Sequence, residues 1–212
     1  MRNLRLLALR LLAALVATVA IAGCASGASG PASPPEATPT TEAAVSDAAT
    51  GTEASAEFAV DSLSFQDGEE MPAEHATGAA GGINASLGLT WRNAPANTQS
   101  FAIETYDEHK VADDWVHWLA VDVPGDSLGV EAGASGTKMP AGSRELENGF
   151  GDIGWGGPQP PKGTGPHAYR TTVYALDVAT VEVDDDASLG EFRDAIEDHV
   201  LASASVVGTF ER

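Results

Sequence analysis

The sequence predicts a mainly β fold, a β-sandwich-like domain with small helical additions, behind a long polar leader. Three observations carry this. Short apolar stretches rich in Val, Thr, Tyr and Phe, bounded by turn residues, recur from 57 to 178. Helical spacing is convincing only late, after Ser188. No internal repeat divides the chain, and many short strands with one late helix fit a layered β architecture.

The elements follow in order. Residues 1–23 carry Arg2, Arg5 and Arg10 and then an apolar run from Leu11 to Ala22, the pattern of an export signal. The run is too short for a convincing transmembrane helix. It closes in Ile21-Ala22-Gly23-Cys24, which resembles a bacterial lipobox, so Cys24 is the expected lipidation site. Cys24 is the only cysteine, so an intrachain disulfide is ruled out. Residues 25–56, which with Cys24 make up the segment 24–56, are Ala, Ser, Thr, Pro, Gly and acids, with Val45 as the one larger apolar residue. Such a composition cannot offset the entropy of ordering, and it reads as a flexible lipid-anchored tether. That places residues 57–212 at the extracytoplasmic face of a cell membrane as one domain. The formal net charge is −20, and removing Arg2, Arg5 and Arg10 takes it to −23. This charge disfavours nucleic acid as a partner.

Within the domain, "EFAVDSLSFQ" (57–66) alternates with a break and predicts an irregular strand. "LGLTW" (87–91) and "QSFAIETY" (99–106) predict two strands joined by a turn containing Asn and Pro. "WVHWLAVDVPG" (115–125) is a further strand, ended by Pro124-Gly125. Strict alternation puts His117 on one face with Leu119, Val121 and Val123. "AYRTTVYALDV" (168–178) is the clearest strand. Ser188 and Glu191 form a capping-box pair, and Leu189, Phe192, Ile196 and Val200 share a face of a helix expected to run through 189–202. A last strand follows over 203–210.

The interval 126–167 lacks periodicity. It ends in "GGPQPPKGTGPHAY" (156–169), stiffened by proline and glycine, and so long an irregular segment in a compact domain points to positioning. It delivers His167 and Tyr169 to the mouth of a strand, two apart and therefore on one face. Asp107 stands where another strand ends, and His117 lies near the start of its own. Two imidazoles and a phenol can donate to an anion's oxygens, while Asp107 fixes one imidazole's tautomer. The same residues admit a plainer reading, with His167 packed under its loop and His117 satisfied in the core. His109 is read as an exposed loop residue, His75 as surface, and His199 as favourable at a helix C-terminus. The acidic run 182–188 lacks the spacing of a cation loop.

"GGPQPPKGTGPHAY" resembles the signature of the phosphatidylethanolamine-binding protein family, the Raf kinase inhibitor-like proteins. "WVHWLAVDVPG" is similar to that family's His-containing strand, and the segments at 58–72 and 188–212 are similar to the two ends of its bacterial branch. The resemblance implies a two-sheet β-sandwich-like fold with a Greek-key element and a few short helices, one near the C-terminus. It also implies a pocket for phosphate-like anions or phospholipid headgroups. By position, the pocket residues fall on Asp107, His117, His167 and Tyr169, with Trp115 as an aromatic wall. Where the family carries Asp-Pro-Asp-x-Pro this chain has "DEHKV" from Asp107, and the Asn-x-Ser-Pro-Pro-Leu segment is "NASLGL" (84–89). Loss of those prolines predicts a less rigid pocket wall.

The resulting expectation is a membrane-anchored binding protein with no catalytic residue, no cofactor and no metal. One alternative is a surface-presented inhibitor or scaffold for a protein partner. The other is a metal-dependent hydrolase using Asp107, His117 and His167 as a two-His-one-carboxylate set. No Gly-x-Ser-x-Gly or His-Glu-x-x-His motif supports the hydrolase.

Overall fold

The computed structural model describes residues 56–212. The expected signal peptide, Cys24 and nearly all of the expected tether lie outside the described residues. Among the described residues no helix is long and apolar enough to cross a membrane.

Among the described residues eight strands form two antiparallel sheets, and one α-helix accompanies them. The smaller sheet consists of β1 (Ala59–Ser62), β2 (Leu89–Arg92) and β5 (Gly129–Val130), in the order β1-β2-β5. The larger consists of β3 (Ser100–Asp107), β4 (Val116–Pro124), β6 (Arg144–Glu145), β7 (His167–Leu176) and β8 (Val200–Phe210). Its order is β6-β4-β3-β7-β8. In this sheet β3, β4 and β6 are adjacent in turn, and β7 returns by a long connection to lie beside β3. That is the expected Greek-key order.

Two apolar clusters explain the layering. One joins Phe58, Val60, Leu89 and Trp91 of the small-sheet side to Phe101, Ile103, Trp118, Val173 and Phe210 of the large sheet. The other covers the opposite face of the large sheet, where Ala102, Leu119, Val121 and Leu176 meet Phe192 and Ile196. Sandwiched between the two, β3 is buried at seven of its eight positions, and such a strand reads as a continuous apolar run instead of an alternating one.

The helix α1 (Leu189–Ile196) starts as the sequence predicts. Ser188 Oγ accepts the Glu191 N–H at 3.3 Å, and Glu191 Oε2 accepts the Ser188 N–H at 2.8 Å. Its end differs from expectation. The helix stops at Ile196, one 3-10 turn follows over Glu197–His199, and β8 begins at Val200. Pairing of Val200 with Leu176 in the sheet outcompetes another helical turn. His199 meets the Asp177 carboxylate at 2.9 Å.

Strict alternation along β4 also fails. Register shifts fall between Phe101 and Ile103 and between Thr105 and Tyr106 of β3, and Asp122 takes a left-handed φ of 60°. Each irregularity flips the phase of the residues beyond it. Leu119 and Val121 therefore face the helix, Val123 faces the small sheet, and the His117 ring meets Tyr169 and Trp155 on the small-sheet side. The interval up to residue 166 is mostly irregular, as expected, and contributes only the two-residue strands β5 and β6 before β7 begins at His167.

Candidate functional site

Four loops and strand ends converge at one end of the large sheet. Asp107 is the last residue of β3, and its N–H donates to the Trp115 carbonyl at 3.0 Å. Its carboxylate is almost fully buried and doubly engaged. Oδ1 accepts the His109 N–H at 2.8 Å, and Oδ2 lies 2.6 Å from His167 Nδ1. His167 opens β7, and its Nε2 lies 2.8 Å from Thr164 Oγ1 in the Gly-Pro loop. His109, expected as an exposed loop residue, is half-buried and stacks on the His167 ring at 3.9 Å between centroids.

The wall that lacks its prolines is held by other means. Asp107 caps the turn at His109, Glu108 N–H donates to the Ala168 carbonyl at 2.8 Å, and Glu108 pairs with Arg170 at 2.6 Å.

His117 sits edge-on to Tyr169, with ring centroids 5.0 Å apart. Its Nδ1–H donates to the Gly156 carbonyl at 2.5 Å, and the Gly156 N–H donates back to the His117 carbonyl at 2.8 Å. Burial pushes its pKa down to about 4, outweighing the upward pull of the Gly156 carbonyl and the Asp107 charge. The ring is therefore neutral at pH 7, and with its proton on Nδ1 the Nε2 atom is an acceptor. This corrects the expectation that both imidazoles donate to a ligand.

Tyr169 shares the face of His167, two residues on. Its hydroxyl is buried beside the Asp107 carboxylate and makes no hydrogen bond of good geometry. Burial, and then the neighbouring Asp107 charge, push its pKa far up, so it remains a phenol and a donor.

Trp115 and Phe150 form the rim, packed edge-to-face at 5.5 Å and each partly exposed. A side chain at Gly149 would overlap Trp115, with its Cβ 2.5 Å from Cε2, so glycine is required for this approach. Together Asp107, Trp115, His117, Phe150, His167 and Tyr169 line a cavity of about 210 Å³, closed on one side by Pro160 and Pro161. All five residues singled out in the sequence meet there.

Sequence reasoning missed the groups that hold them. Asn84, with φ 59°, spans the Gly-Pro loop: Oδ1 accepts the Gly157 N–H at 2.7 Å and Nδ2 donates to the Trp155 carbonyl at 3.2 Å. Gly156 between them is thereby fixed toward His117. His75, expected at the surface, is fully buried behind this loop, where its carbonyl accepts from Trp155 Nε1 at 3.1 Å. The "NAS" signal at Asn84 was visible, but its partners lie over 70 residues away. Among the described residues no group of three or more His, Cys, Asp or Glu side chains is set to hold a metal ion. Asp107 and His167 meet as hydrogen-bond partners, and His117 lines the same cavity.

The model of the family described as phosphatidylethanolamine-binding protein matches residues 61–211. The chain belongs to that family. The YbcL protein of Escherichia coli K12 is 35% identical over 162 residues, covering 74% of this chain and 88% of YbcL. The crystal structure of YbcL, described as a member of the mammalian family, superimposes with a TM-score of 0.69 at 33% identity, covering 74% of this chain and 99% of that one. LppC of Mycobacterium tuberculosis H37Rv, named as a candidate lipoprotein, is 34% identical over 165 residues, 78% of each chain. Phosphatidylethanolamine-binding proteins thus supply both the fold and the coarse function, that of a binding protein.

Proposed function

We propose that residues 57–212 bind a small phosphate-type anion or phospholipid headgroup in the cavity lined by Asp107, Trp115, His117, His167 and Tyr169. The observation that carries this is the Tyr169 hydroxyl, a buried donor with no hydrogen bond in a cavity it shares with Asp107, Trp115, His117 and His167. A buried polar group without a partner is costly unless a ligand or ordered water completes it. Binding without catalysis fits a cavity whose single carboxylate is spent on orienting His167 and a backbone N–H.

The domain is held at the extracytoplasmic face by lipid on Cys24, after removal of residues 1–23, and stands off on the tether 24–56. The lipobox-like sequence and the likeness to LppC support that arrangement. Two acyl chains would make such an anchor stable, since each buried methylene contributes about 0.8 kcal/mol.

Calorimetric titration with inorganic phosphate tests the pocket. Saturable binding is expected, and it is expected to weaken in His167→Ala, because loss of the ring leaves the Asp107 carboxylate uncovered beside the anion. Unaltered affinity in that variant would remove His167 from the site. For the anchor, Cys24→Ser is expected to move the protein from the membrane fraction to the soluble one.

A further inference from the structure

Among the described residues no Lys or Arg lines the cavity, and Asp107 is the one carboxylate in its wall. An anion entering it meets no fixed cation, in a chain whose formal net charge is −20. At the rim, Trp115 and Phe150 leave 42% and 40% of their surface in water. Their planes meet at 68° and form a corner. The corner is held in place. Gly149 backs the indole, and Phe150 N–H donates to Asn148 Oδ1 at 2.8 Å. Asp113 and Asp114 take consecutive left-handed φ values of 53° and 56° directly before Trp115. Such non-glycine conformations persist only where the surroundings impose them, and they gather at ligand sites.

Negative charge flanks the two rings in sequence. Asp113 and Asp114 precede Trp115, Asp152 follows Phe150 by two residues, and all three are exposed. Among the described residues none of the three is in an ion pair. Aromatic faces are themselves negative and attract cations. From this charge complementarity we infer that the Trp115–Phe150 corner is a subsite for an N-methylated ammonium group. The inference rests on the anion-pocket reading only for the ligand's other end, the anionic one. A ligand of this kind brings the cation that the cavity wall lacks.

The choice of an N-methylated group over a primary ammonium follows from the chemistry of the corner. A primary ammonium is a compact, strongly hydrated charge with three N–H donors. Ring faces offer those donors no lone pair, so its water is lost without replacement. A trimethylammonium group has no N–H to satisfy. Its methyl groups spread the charge over an apolar surface that packs against the rings and against Pro160 and Pro161, which close the same cavity. Recognition of quaternary ammonium by paired aromatic rings works in this way. The group is carried either by a free ammonium compound or by a lipid headgroup, and the rim chemistry is the same for both.

The test follows the indole N–H signals of the full chain in nonionic detergent by NMR, with Trp115→Leu identifying the Trp115 signal. The ligands are choline, ethanolamine and dimethylbutanol, the uncharged isostere of choline in which carbon replaces nitrogen. Choline is expected to shift the Trp115 signal saturably and to bind roughly five- to thirtyfold more tightly than the isostere, the range for a cation over aromatic faces. Ethanolamine is expected to bind more weakly than choline, and Phe150→Leu to weaken choline. Should that variant fail to fold, the comparison of ligands on the wild type still decides. Tighter binding of glycerophosphorylcholine than of choline would support the subsite with a headgroup as its source, and equal binding would support it with a free ammonium compound. Equal binding of choline and its isostere would overturn the inference, leaving an apolar rim. So would ethanolamine binding as tightly as choline, or no choline shift at tens of millimolar. A parallel titration with inorganic phosphate keeps the two readings apart: phosphate binding without choline binding leaves the anion pocket standing alone, and choline binding without phosphate binding leaves the subsite alone.

Discussion

Asp107 and His167, 60 residues apart in sequence, are joined by a 2.6 Å hydrogen bond between Oδ2 and Nδ1, both groups almost fully buried. The second oxygen of the same carboxylate caps the turn at His109, whose ring covers His167. One buried carboxylate thus shapes the loop, orients the histidine and supplies the cavity's negative charge.

Asp107→Asn tests that double duty. Asparagine keeps one acceptor oxygen for two donors, so either the His109 N–H or His167 Nδ1 faces an amide N–H. The variant is expected to lose about 1.5–3 kcal/mol of stability, the range for a hydrogen bond to a charged group. Urea unfolding measures it, and a wild-type midpoint would show that the carboxylate is dispensable to the fold.

Tyr169→Phe should separate stability from binding. The hydroxyl it removes is buried and unpartnered, so stability is expected to hold or to rise by up to about 1–3 kcal/mol, the cost of an unsatisfied buried group. Phosphate affinity is expected to fall in the same variant. Thermal unfolding and calorimetry read the two effects, and a loss of stability with full binding would reverse the role assigned to Tyr169.

His117 makes the fold sensitive to mild acid. Its pKa is 6.5 in the unfolded chain and about 4 in the folded one. Above pH 6.5 neither state is protonated there, and this residue adds no pH dependence. Between 6.5 and 4 the unfolded chain binds a proton that the folded chain refuses, so stability falls as pH drops. The whole effect is about 3 kcal/mol, from 1.36 kcal/mol per pKa unit. Denaturation at pH 7, 5.5 and 4.5 should show this slope in wild type and a shallower one in His117→Gln.

The sequence made some of this legible and hid the rest for identifiable reasons. β3, β4 and β7 are long, rich in β-branched and aromatic residues, and visible as strands. β5 and β6 are two residues each, defined by partners in β2 and β4 and not by any local pattern. The helix start was written in Ser188 and Glu191, whereas its end was set by the pairing of Val200 with Leu176. The five cavity residues stood out because polar side chains at strand ends are conspicuous. The orientation of His117 did not, because two bulges and a left-handed Asp122 reset the alternation. Its donor state was equally hidden, since the Gly156 carbonyl that fixes it lies 39 residues away.

The most direct test of the anion pocket is an NMR titration of the imidazole carbon–proton signals with O-phosphorylethanolamine. Saturable shifts are predicted for His117 and His167, abolished at both sites in Tyr169→Phe at the same ligand concentrations. Invariant histidine signals at millimolar ligand would contradict the pocket and favour a domain that works through its surface, as a scaffold for a protein partner.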